Sequence, residues 1–244
     1  SWEEAVESEE VDFVDICLPH HLHHPVAMAA LRAGKDVVVE KPIALTLKQA
    51  EEMLSEARRL GRKLFISMNQ LAYPAHIAAR RLIDTGYHAI YVLQRLLGPA
   101  RAVTARLPRL VVPHENKADD NACVILEFDG AVGNIVVSYT VTSMPWTEER
   151  SIFGTEGSLH IRDAEGGRLR LLRGGKEVPV EVETFPSAGE LYAESIRRAL
   201  SQFLDWVTEG REPDIRPEEA VEALRTALAA YESHRTGSRV EIRR

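Results

Sequence analysis

The first 70 residues alternate apolar, β-branched runs with stretches that have helical spacing. Each apolar run has the length of a buried strand, and Gly34 and Gly61 stand where the two helical stretches end. The predicted elements, in order, are a strand at Val11–Leu18, a helix at Pro25–Gly34, a strand at Asp36–Glu40, a helix from the N-cap Thr46 to Leu60, and a strand at Lys63–Asn69. Strands separated by helices imply parallel pairing.

The pattern changes between Arg101 and about Thr184, where strand-like runs follow one another without a long helical stretch. Phe128-Asp129-Gly130 separates two of these runs as a hairpin turn would. The remaining predicted elements are amphipathic helices at Gly189–Glu209 and Arg216–Arg235 and a short strand at Val240–Ile242. This second part is therefore predicted to be an antiparallel sheet followed by helices.

Length and charge narrow the classes of partner. The chain has 244 residues, enough for one large or two modest domains. Its formal net charge of -7 disfavours binding to nucleic acid or to an anionic membrane. No apolar run reaches the length of a bilayer span, so we expect a cytoplasmic protein without a membrane partner. Cys17 and Cys123 lie in strand-like apolar runs and are interpreted as reduced core residues.

Polar residues follow each of the three predicted parallel strands. Ligands of an open parallel sheet bind beyond the carboxyl ends of its strands, which here are Leu18-Pro19-His20, Glu40-Lys41-Pro42 and Met68-Asn69-Gln70. Lys41 precedes a proline, which favours an extended backbone at the lysine. An arbitrary lysine is usually a solvated loop residue. The position of Lys41 at a strand end instead favours an ammonium group at the mouth of the sheet.

The stretch from Val11 to Tyr73 resembles the glucose–fructose oxidoreductase / inositol dehydrogenase (Gfo/Idh/MocA) family. Residues 11–46 look like the fourth and fifth Rossmann strands of that family with the helix between them, and Glu40-Lys41-Pro42 matches its Glu-Lys-Pro motif. Ser151–Ile161 is similar to a strand pair in the C-terminal sheet of the family. The resemblance implies an α/β Rossmann-like nucleotide domain and a second domain that binds substrate.

We therefore predict two domains. Residues 1–72 form the Rossmann-like domain, incomplete at its N-terminus, and residues 73–244 form an α+β domain with a large, mostly antiparallel sheet. Because the sequence has no G-x-G-x-x-G turn, we expect two further βα units, about 60 residues, upstream of Ser1. The resemblance also implies a strand and a loop that are missing near Leu82–Ile83.

A second signature of the family is an aspartate followed four residues later by a histidine, and Asp84 and His88 fit it. On a helix this spacing places both side chains on one face. The resemblance implies that His88 accepts a hydroxyl proton, that Asp84 orients its ring, and that Lys41 polarises the same oxygen. Alternatively, Asp84 is a helix cap and His88 a partly buried polar residue. Gly86 could also end the preceding helix, and Asp84 would then not be the catalytic partner.

The resemblance further implies a set of residues beside a dinucleotide cofactor. They are Leu18, Pro19, His20, His23, Glu40, Lys41 and Asn69. The histidine-rich run His20–His24 does not predict a metal site, because no cysteine or carboxylate set with suitable spacing accompanies it.

Together these features predict an oxidoreductase that uses NAD or NADP and transfers a hydride to or from a secondary alcohol of a sugar, cyclitol or related polyol. A homo-oligomer formed through the C-terminal sheet is expected. Two rivals remain: an NAD-dependent glycosidase on the same scaffold, and a non-catalytic relative that senses sugar or nucleotide. Retention of Lys41, Asp84 and His88 argues against the second rival. The sequence does not distinguish NAD from NADP, because the strand end that decides this choice is absent.

Overall fold

The computed structural model describes residues 1–72, 87–108, 110, 121–138, 140 and 149–243. The chain forms two compact units. The first unit contains residues 1–72 and 194–224, and the second contains residues 73–193 and 225–244. The chain therefore leaves the first unit after Ala72 and returns to it at Glu194.

The first unit is built on a three-stranded parallel sheet in the order β1-β2-β3, which confirms the predicted α/β arrangement. Its strands are Phe13–Ile16 (β1), Asp36–Glu40 (β2) and Leu64–Ser67 (β3), and its first helices are Trp2–Glu7 (α1), His20–Arg32 (α2) and Leu47–Leu60 (α3). Val38 of β2 pairs with Asp15 of β1 and with Phe65 of β3. Because the strands are parallel, their carboxyl ends lie at one edge of the sheet.

The middle of this sheet is fully buried. Val37–Val39 of β2 and Leu64–Ile66 of β3 are all within the core, as expected for continuous apolar strands covered on both faces. Asp36 is also buried, and its Oδ1 accepts a hydrogen bond of 2.8 Å from the backbone N–H of Lys63. This bond gives the buried carboxylate a partner at the start of β2.

The ends of α3 agree with the sequence prediction. The Thr46 hydroxyl accepts a hydrogen bond of 3.2 Å from the N–H of Gln49, and Gly61 ends the helix with a φ of 63°. The predicted start of α2 at Pro25 is wrong, because the helix begins at His20. The N–H of Leu22 already donates to the Pro19 carbonyl at 2.8 Å. Pro25 lies on the exposed side of α2, where water can satisfy the carbonyl that its missing N–H leaves unpaired.

The remaining helices are Tyr87–Leu97 (α4), Ala188–Glu209 (α5) and Pro217–Thr236 (α6). The last two are long and lie near the C-terminus. In the first unit, Phe203 of α5 is 1% exposed, and its ring centroid lies 5.2 Å from that of Phe13 and 5.9 Å from that of Phe65. The returning segment therefore contributes an aromatic core residue to the parallel sheet. No helix in the described ranges is long and apolar enough to cross a membrane.

The second unit carries the predicted antiparallel strands, which the structure arranges as two four-stranded sheets in the orders β11-β4-β5-β6 and β10-β9-β8-β7. The strands are Ala102–Arg106 (β4), Asn121–Phe128 (β5), Ala131–Ser138 (β6), Glu149–Gly154 (β7), Gly157–Arg162 (β8), Arg168–Arg173 (β9), Lys176–Val178 (β10) and Val240–Glu241 (β11). The hairpin between β5 and β6 turns at Asp129-Gly130, and Gly130 has a φ of 79°. This confirms the predicted turn.

One face of the β5–β6 hairpin is apolar and exposed. Val124, Leu126 and Phe128 point into the core, whereas the alternate residues point outward. The outer face of β5–β6 carries exposed apolar side chains beside polar ones, and its residues are Asn121, Cys123, Ile125, Glu127, Val132, Asn134, Val136 and Ser138. Val132 and Val136 are 72% and 71% exposed, which is high for large apolar residues on a sheet.

The prediction that both cysteines are core residues is wrong, since Cys17 and Cys123 are exposed. Cys17 is the first residue after β1, and Cys123 lies on the outer face of β5, opposite Val136. Successive side chains of a strand point to opposite faces, so each cysteine points outward beside a buried neighbour. A run in which every residue is apolar does not show which residues face outward. Both thiols are free in the structure.

Candidate functional site

The candidate site lies in the first unit, at the carboxyl ends of its parallel strands. Lys41 directly follows β2 and is half-buried. Its backbone N–H donates a hydrogen bond of 3.1 Å to Oε2 of Glu40, and the Lys41–Pro42 peptide bond is cis. Among the described residues, the Lys41 ammonium group has no hydrogen-bond or ion-pair partner. The ammonium group is therefore available to a ligand at the strand ends.

Two of the predicted cofactor residues are helical. Leu18 and Pro19 form the loop after β1, whereas His20 and His23 lie in the first turn of α2, ahead of the predicted helix start at Pro25. The N–H bond of Leu22 to the Pro19 carbonyl closes this turn. Helix geometry then directs the two rings differently. His20 is exposed, while His23 is 0% exposed.

His23 connects two strand ends through its ring. Its Nδ1 lies 2.9 Å from the carbonyl oxygen of Pro42, and its Nε2 lies 2.8 Å from the carbonyl oxygen of Leu18. Both ring nitrogens are thus occupied by backbone groups. Any effect of His23 on a cofactor would therefore pass through the loops that it contacts.

Charges at this edge act on one another. Partial burial lowers the pKa of His20, and the neighbouring charges of His23 and Lys41 lower it further. Burial also raises the pKa of Asp15, and the Glu40 carboxylate adds to that effect. The His20 ring is therefore neutral near pH 7, which leaves Lys41 as a defined positive charge beside the loop after β1.

Cys17 is a second polar group at the end of β1. Its thiol lies 3.6 Å from Oδ1 of Asp15. Partial burial, and then the negative charge of Asp15, raise the pKa of the Cys17 thiol. The side chain is therefore a neutral thiol near pH 7, and a role as a nucleophile is not supported.

Asn69 lies in a short 3₁₀ turn, Asn69–Ala72, after β3. Its side chain is 4% exposed, and its Nδ2 donates a hydrogen bond of 2.8 Å to Oγ of Ser195. The amide group is thus fixed by the returning helix α5. Its predicted contact with a cofactor stays a prediction.

His88 lies at the start of α4 in the second unit. Its Nδ1 is 2.5 Å from the hydroxyl oxygen of Tyr91, and the two ring centroids are 5.5 Å apart. Tyr91, which is 1% exposed, was not identified from the sequence. The signal was its position three residues after His88 on a helix. Asp84 and the predicted discontinuity at Leu82–Ile83 lie outside the described residues.

The histidine-rich run does not form a metal cluster in the described part of the chain. His23 is occupied by carbonyl groups, and Nε2 of His24 lies 2.9 Å from Oε2 of Glu52. Across the described ranges, no group of three or more histidine, cysteine, aspartate or glutamate residues could hold a metal ion.

The arrangement in the first unit suits the stabilisation of negative charge on an oxygen atom. The Lys41 ammonium group stands at the carboxyl edge of a parallel sheet, and half-burial strengthens its electrostatic effect. His88 and Tyr91 form a separate hydrogen-bonded pair in the second unit.

Proteins with sequence similarity include sugar and inositol oxidoreductases. The chain is 37% identical to 1,5-anhydro-D-fructose reductase from Ensifer adhaerens over 108 residues, which is 40% of this chain and 32% of the reductase. It is 23% identical to scyllo-inositol 2-dehydrogenase (NAD+) from Bacillus subtilis over 279 aligned positions, which cover 98% of this chain and 80% of the dehydrogenase. The first match thus spans less than a third of its relative.

Solved structures share the fold. The chain superposes on levoglucosan dehydrogenase, in a complex with NADH and levoglucosan, with a TM-score of 0.85 and 20% sequence identity. The superposition covers 100% of this chain and 83% of that one. At this identity the likeness establishes the fold.

Two family models cover most of the sequence. Residues 1–68 match the NAD-binding Rossmann fold of an oxidoreductase family, and residues 77–242 match the C-terminal alpha/beta domain of the same family. The second match alone extends over more than half of the chain. With the Glu-Lys-Pro motif placed at the end of β2, the chain belongs to the glucose–fructose oxidoreductase / inositol dehydrogenase (Gfo/Idh/MocA) family.

Proposed function

We propose that this protein is an NAD- or NADP-dependent oxidoreductase that acts on a secondary alcohol of a sugar, cyclitol or related polyol. The observation that carries the proposal is Lys41. Its half-buried ammonium group lies at the carboxyl end of β2 and has no partner in the described part of the chain. The named activities of the reductase and the inositol dehydrogenase support the substrate class.

The residues at the strand ends fit a nicotinamide cofactor. Leu18 offers a half-buried apolar surface, Pro19 and His20 are exposed, and the His20 ring is uncharged near pH 7. Such a set can contact an apolar, flat ring, and the neutral ring of His20 adds no exposed cation beside Lys41. A bound nicotinamide would supply the hydride acceptor for alcohol oxidation and the hydride donor for carbonyl reduction.

The side chains of the protein supply the proton chemistry. In alcohol oxidation, His88 accepts the hydroxyl proton as hydride leaves the carbon, and Asp84 orients the imidazole and favours its charged form. Lys41 stabilises the negative charge that develops on the oxygen. In reduction the imidazolium returns the proton to the same oxygen.

The proposal is tested by a dehydrogenase assay on the purified protein. NAD+ and NADP+ are each supplied with scyllo-inositol or levoglucosan, and NADH and NADPH are each supplied with 1,5-anhydro-D-fructose, while the absorbance of the reduced nicotinamide is followed. We expect net, sugar-dependent turnover of one cofactor, lost in Lys41→Met and kept in Lys48→Met, whose lysine is exposed on α3. Cleavage of nitrophenyl glycosides without net cofactor turnover would contradict a dehydrogenase and support a glycosidase.

We also propose that the protein forms a homo-oligomer through the outer face of β5–β6. Val132 and Val136 place two highly exposed apolar side chains on a regular sheet surface. An apolar sheet surface of this kind is stabilised when a second copy covers it. The face is paired with a buried inner face on the same strands, so a partner can bind without disturbing the core.

A further inference from the structure

His23 is a buried histidine whose two ring nitrogens both contact backbone carbonyl oxygens. The distances are 2.9 Å from Nδ1 to Pro42 and 2.8 Å from Nε2 to Leu18, and the side chain is 0% exposed. Leu18 follows β1 and Pro42 follows Lys41 after β2. The ring therefore spans the two loops that carry most of the candidate site.

Carbonyl oxygens accept hydrogen bonds and cannot donate them. A neutral imidazole has one N–H and one lone pair, so it could satisfy only one of the two carbonyl groups. Its unprotonated nitrogen would then face the other oxygen, lone pair against lone pair, at less than 3 Å. An imidazolium has two N–H groups and satisfies both contacts with charge-assisted hydrogen bonds.

We propose that His23 is a buried imidazolium that donates to both carbonyl groups and so positions Lys41 relative to the loop after β1. The protonation state stands on the geometry alone, and the positioning role rests on the proposed dehydrogenase function. His23 does not touch substrate in this proposal. It acts through the two loops.

Several ionisable groups lie on the elements around the His23 ring. The ionisable groups on the surrounding elements are His20 and His24 of α2, Asp15 of β1, Glu40 of β2, Lys41 of the following loop and Glu52 of α3. Full burial of the ring disfavours its charged form, and the two carbonyl contacts have to offset that cost. The two short carbonyl contacts decide the balance, because each would be lost or repulsive at an unprotonated nitrogen.

The protonation state is measured on the wild-type protein labelled with ¹⁵N. Long-range ¹H–¹⁵N correlation spectra at neutral pH resolve the two ring nitrogens of each histidine, and the missing signals of His23→Gln assign those of His23. We expect both nitrogens of His23 to be protonated. One protonated and one unprotonated nitrogen would overturn the imidazolium. This readout does not depend on enzymatic activity, so it remains decisive if the proposed function fails.

The positioning role is measured by comparing His23→Gln with His21→Gln, since His21 is exposed on the same turn of α2. In His23→Gln we expect faster amide hydrogen exchange in the loops after β1 and β2. We also expect kcat to fall by about a hundredfold, as for an active group displaced by about 1 Å, with a smaller change in KM. His21→Gln should match wild type. Unchanged exchange in both loops, or a kcat of His23→Gln within about threefold of wild type, overturns the role. If His23→Gln does not fold, the His23 ring signals are assigned in the wild-type protein from correlations between the ring and its own backbone, and that spectrum still decides the protonation state.

Discussion

The hydroxyl oxygen of Tyr91 lies 2.5 Å from Nδ1 of His88, one turn along helix α4. Tyr91 is 1% exposed, whereas His88 is half-buried. The buried hydroxyl group of Tyr91 thus holds the ring of His88, which is the more exposed of the two residues. This contact fixes the orientation of the imidazole at the start of α4.

Tyr91→Phe should alter the proton chemistry without removing the base. Loss of the hydroxyl removes the bond to Nδ1, so we expect a shifted apparent pKa in the pH profile of kcat. We also expect a fall in kcat of about tenfold, smaller than for gross misplacement of a catalytic group. Tyr231→Phe is the matched control, because Tyr231 is 51% exposed. A pH profile of Tyr91→Phe that coincides with wild type would show that the contact has no catalytic role.

His88→Ala should remove the proton acceptor. We expect kcat for alcohol oxidation to fall by about 10²- to 10⁴-fold, the range of general-base contributions, and its dependence on the base to disappear from the pH profile. His160→Ala, in strand β8, is the control.

Asp84→Asn should have a weaker effect than His88→Ala. Without the carboxylate the imidazolium is less favoured, so the apparent pKa of His88 should fall. The measurement is the pH profile of kcat/KM beside that of wild type. An unshifted profile would mean that Asp84 ends a helix and is not the partner of His88.

Lys41→Met should lower kcat by about a hundredfold or more, the scale of losing one preorganised electrostatic contact to an oxyanion. Lys48→Met should retain wild-type kcat, because its ammonium group is 86% exposed on α3. Cofactor binding, measured by fluorescence titration with NADH, separates a loss of chemistry from a loss of binding. A near-normal kcat in Lys41→Met would remove this residue from the mechanism.

Much of the first unit was predictable from local patterns. Strand β2 was predicted at its observed bounds, and Thr46 and Gly61 marked the ends of α3, because caps and continuous apolar strands leave local signals. The start of α2 was missed, since Pro25 imitates a first helical residue. The inward turn of His23 was also missed, because burial of a polar ring depends on carbonyl groups that the sequence does not place.

The partners of the functional residues were harder to predict than the residues themselves. Lys41 was recognised because it follows a predicted strand. Tyr91 has the sequence pattern of an ordinary core aromatic residue, and only the helix α4 shows that it lies one turn from His88. The helix that carries Phe203 was predicted to be amphipathic, yet the pattern could not show that this helix packs on the parallel sheet. An apolar stripe on a helix shows that this side is buried, but it does not show which part of the protein the helix packs against.

Glu56 should contribute to the free energy of unfolding at neutral pH and lose that contribution in acid. Its carboxylate accepts bonds from Arg59 at 2.7 Å and Arg32 at 2.8 Å, and these hydrogen bonds lower the pKa of Glu56 from 4.5 to about 2. A lowered pKa stabilises the folded state above pH 4.5, and this contribution is lost as the pH falls towards 2. Glu56→Gln should therefore be less stable than wild type at neutral pH, by an amount that shrinks on acidification.

The measurement is urea unfolding of wild type and Glu56→Gln between about pH 7 and about pH 3. Added salt should reduce the difference at neutral pH, because the three charges are near the surface. Glu181→Gln, at an exposed position, is the control. A difference that is constant with pH would contradict the assignment to the two arginines.

Val136→Lys should weaken the proposed homo-oligomer. A charge at the centre of the outer face of β5–β6 would have to be desolvated when a second copy binds. Sedimentation equilibrium should show an oligomer for wild type and a shift to monomer for the variant. Leu45→Lys, which also adds a charge at an exposed apolar residue, should leave the mass unchanged. A monomeric wild type at all concentrations would refute the proposal.

The contacts of Phe203 with the parallel sheet and of Ser195 with the Asn69 turn have a consequence for the time at which the first unit is completed during synthesis. The strands that Phe203 covers, and the Asn69 turn that Ser195 holds, leave the ribosome more than a hundred residues earlier. During synthesis, part of the apolar surface of the parallel sheet therefore stays uncovered while the antiparallel strands are translated. The nascent chain is therefore most exposed to aggregation and to chaperone binding in that interval, and release of α5 ends it.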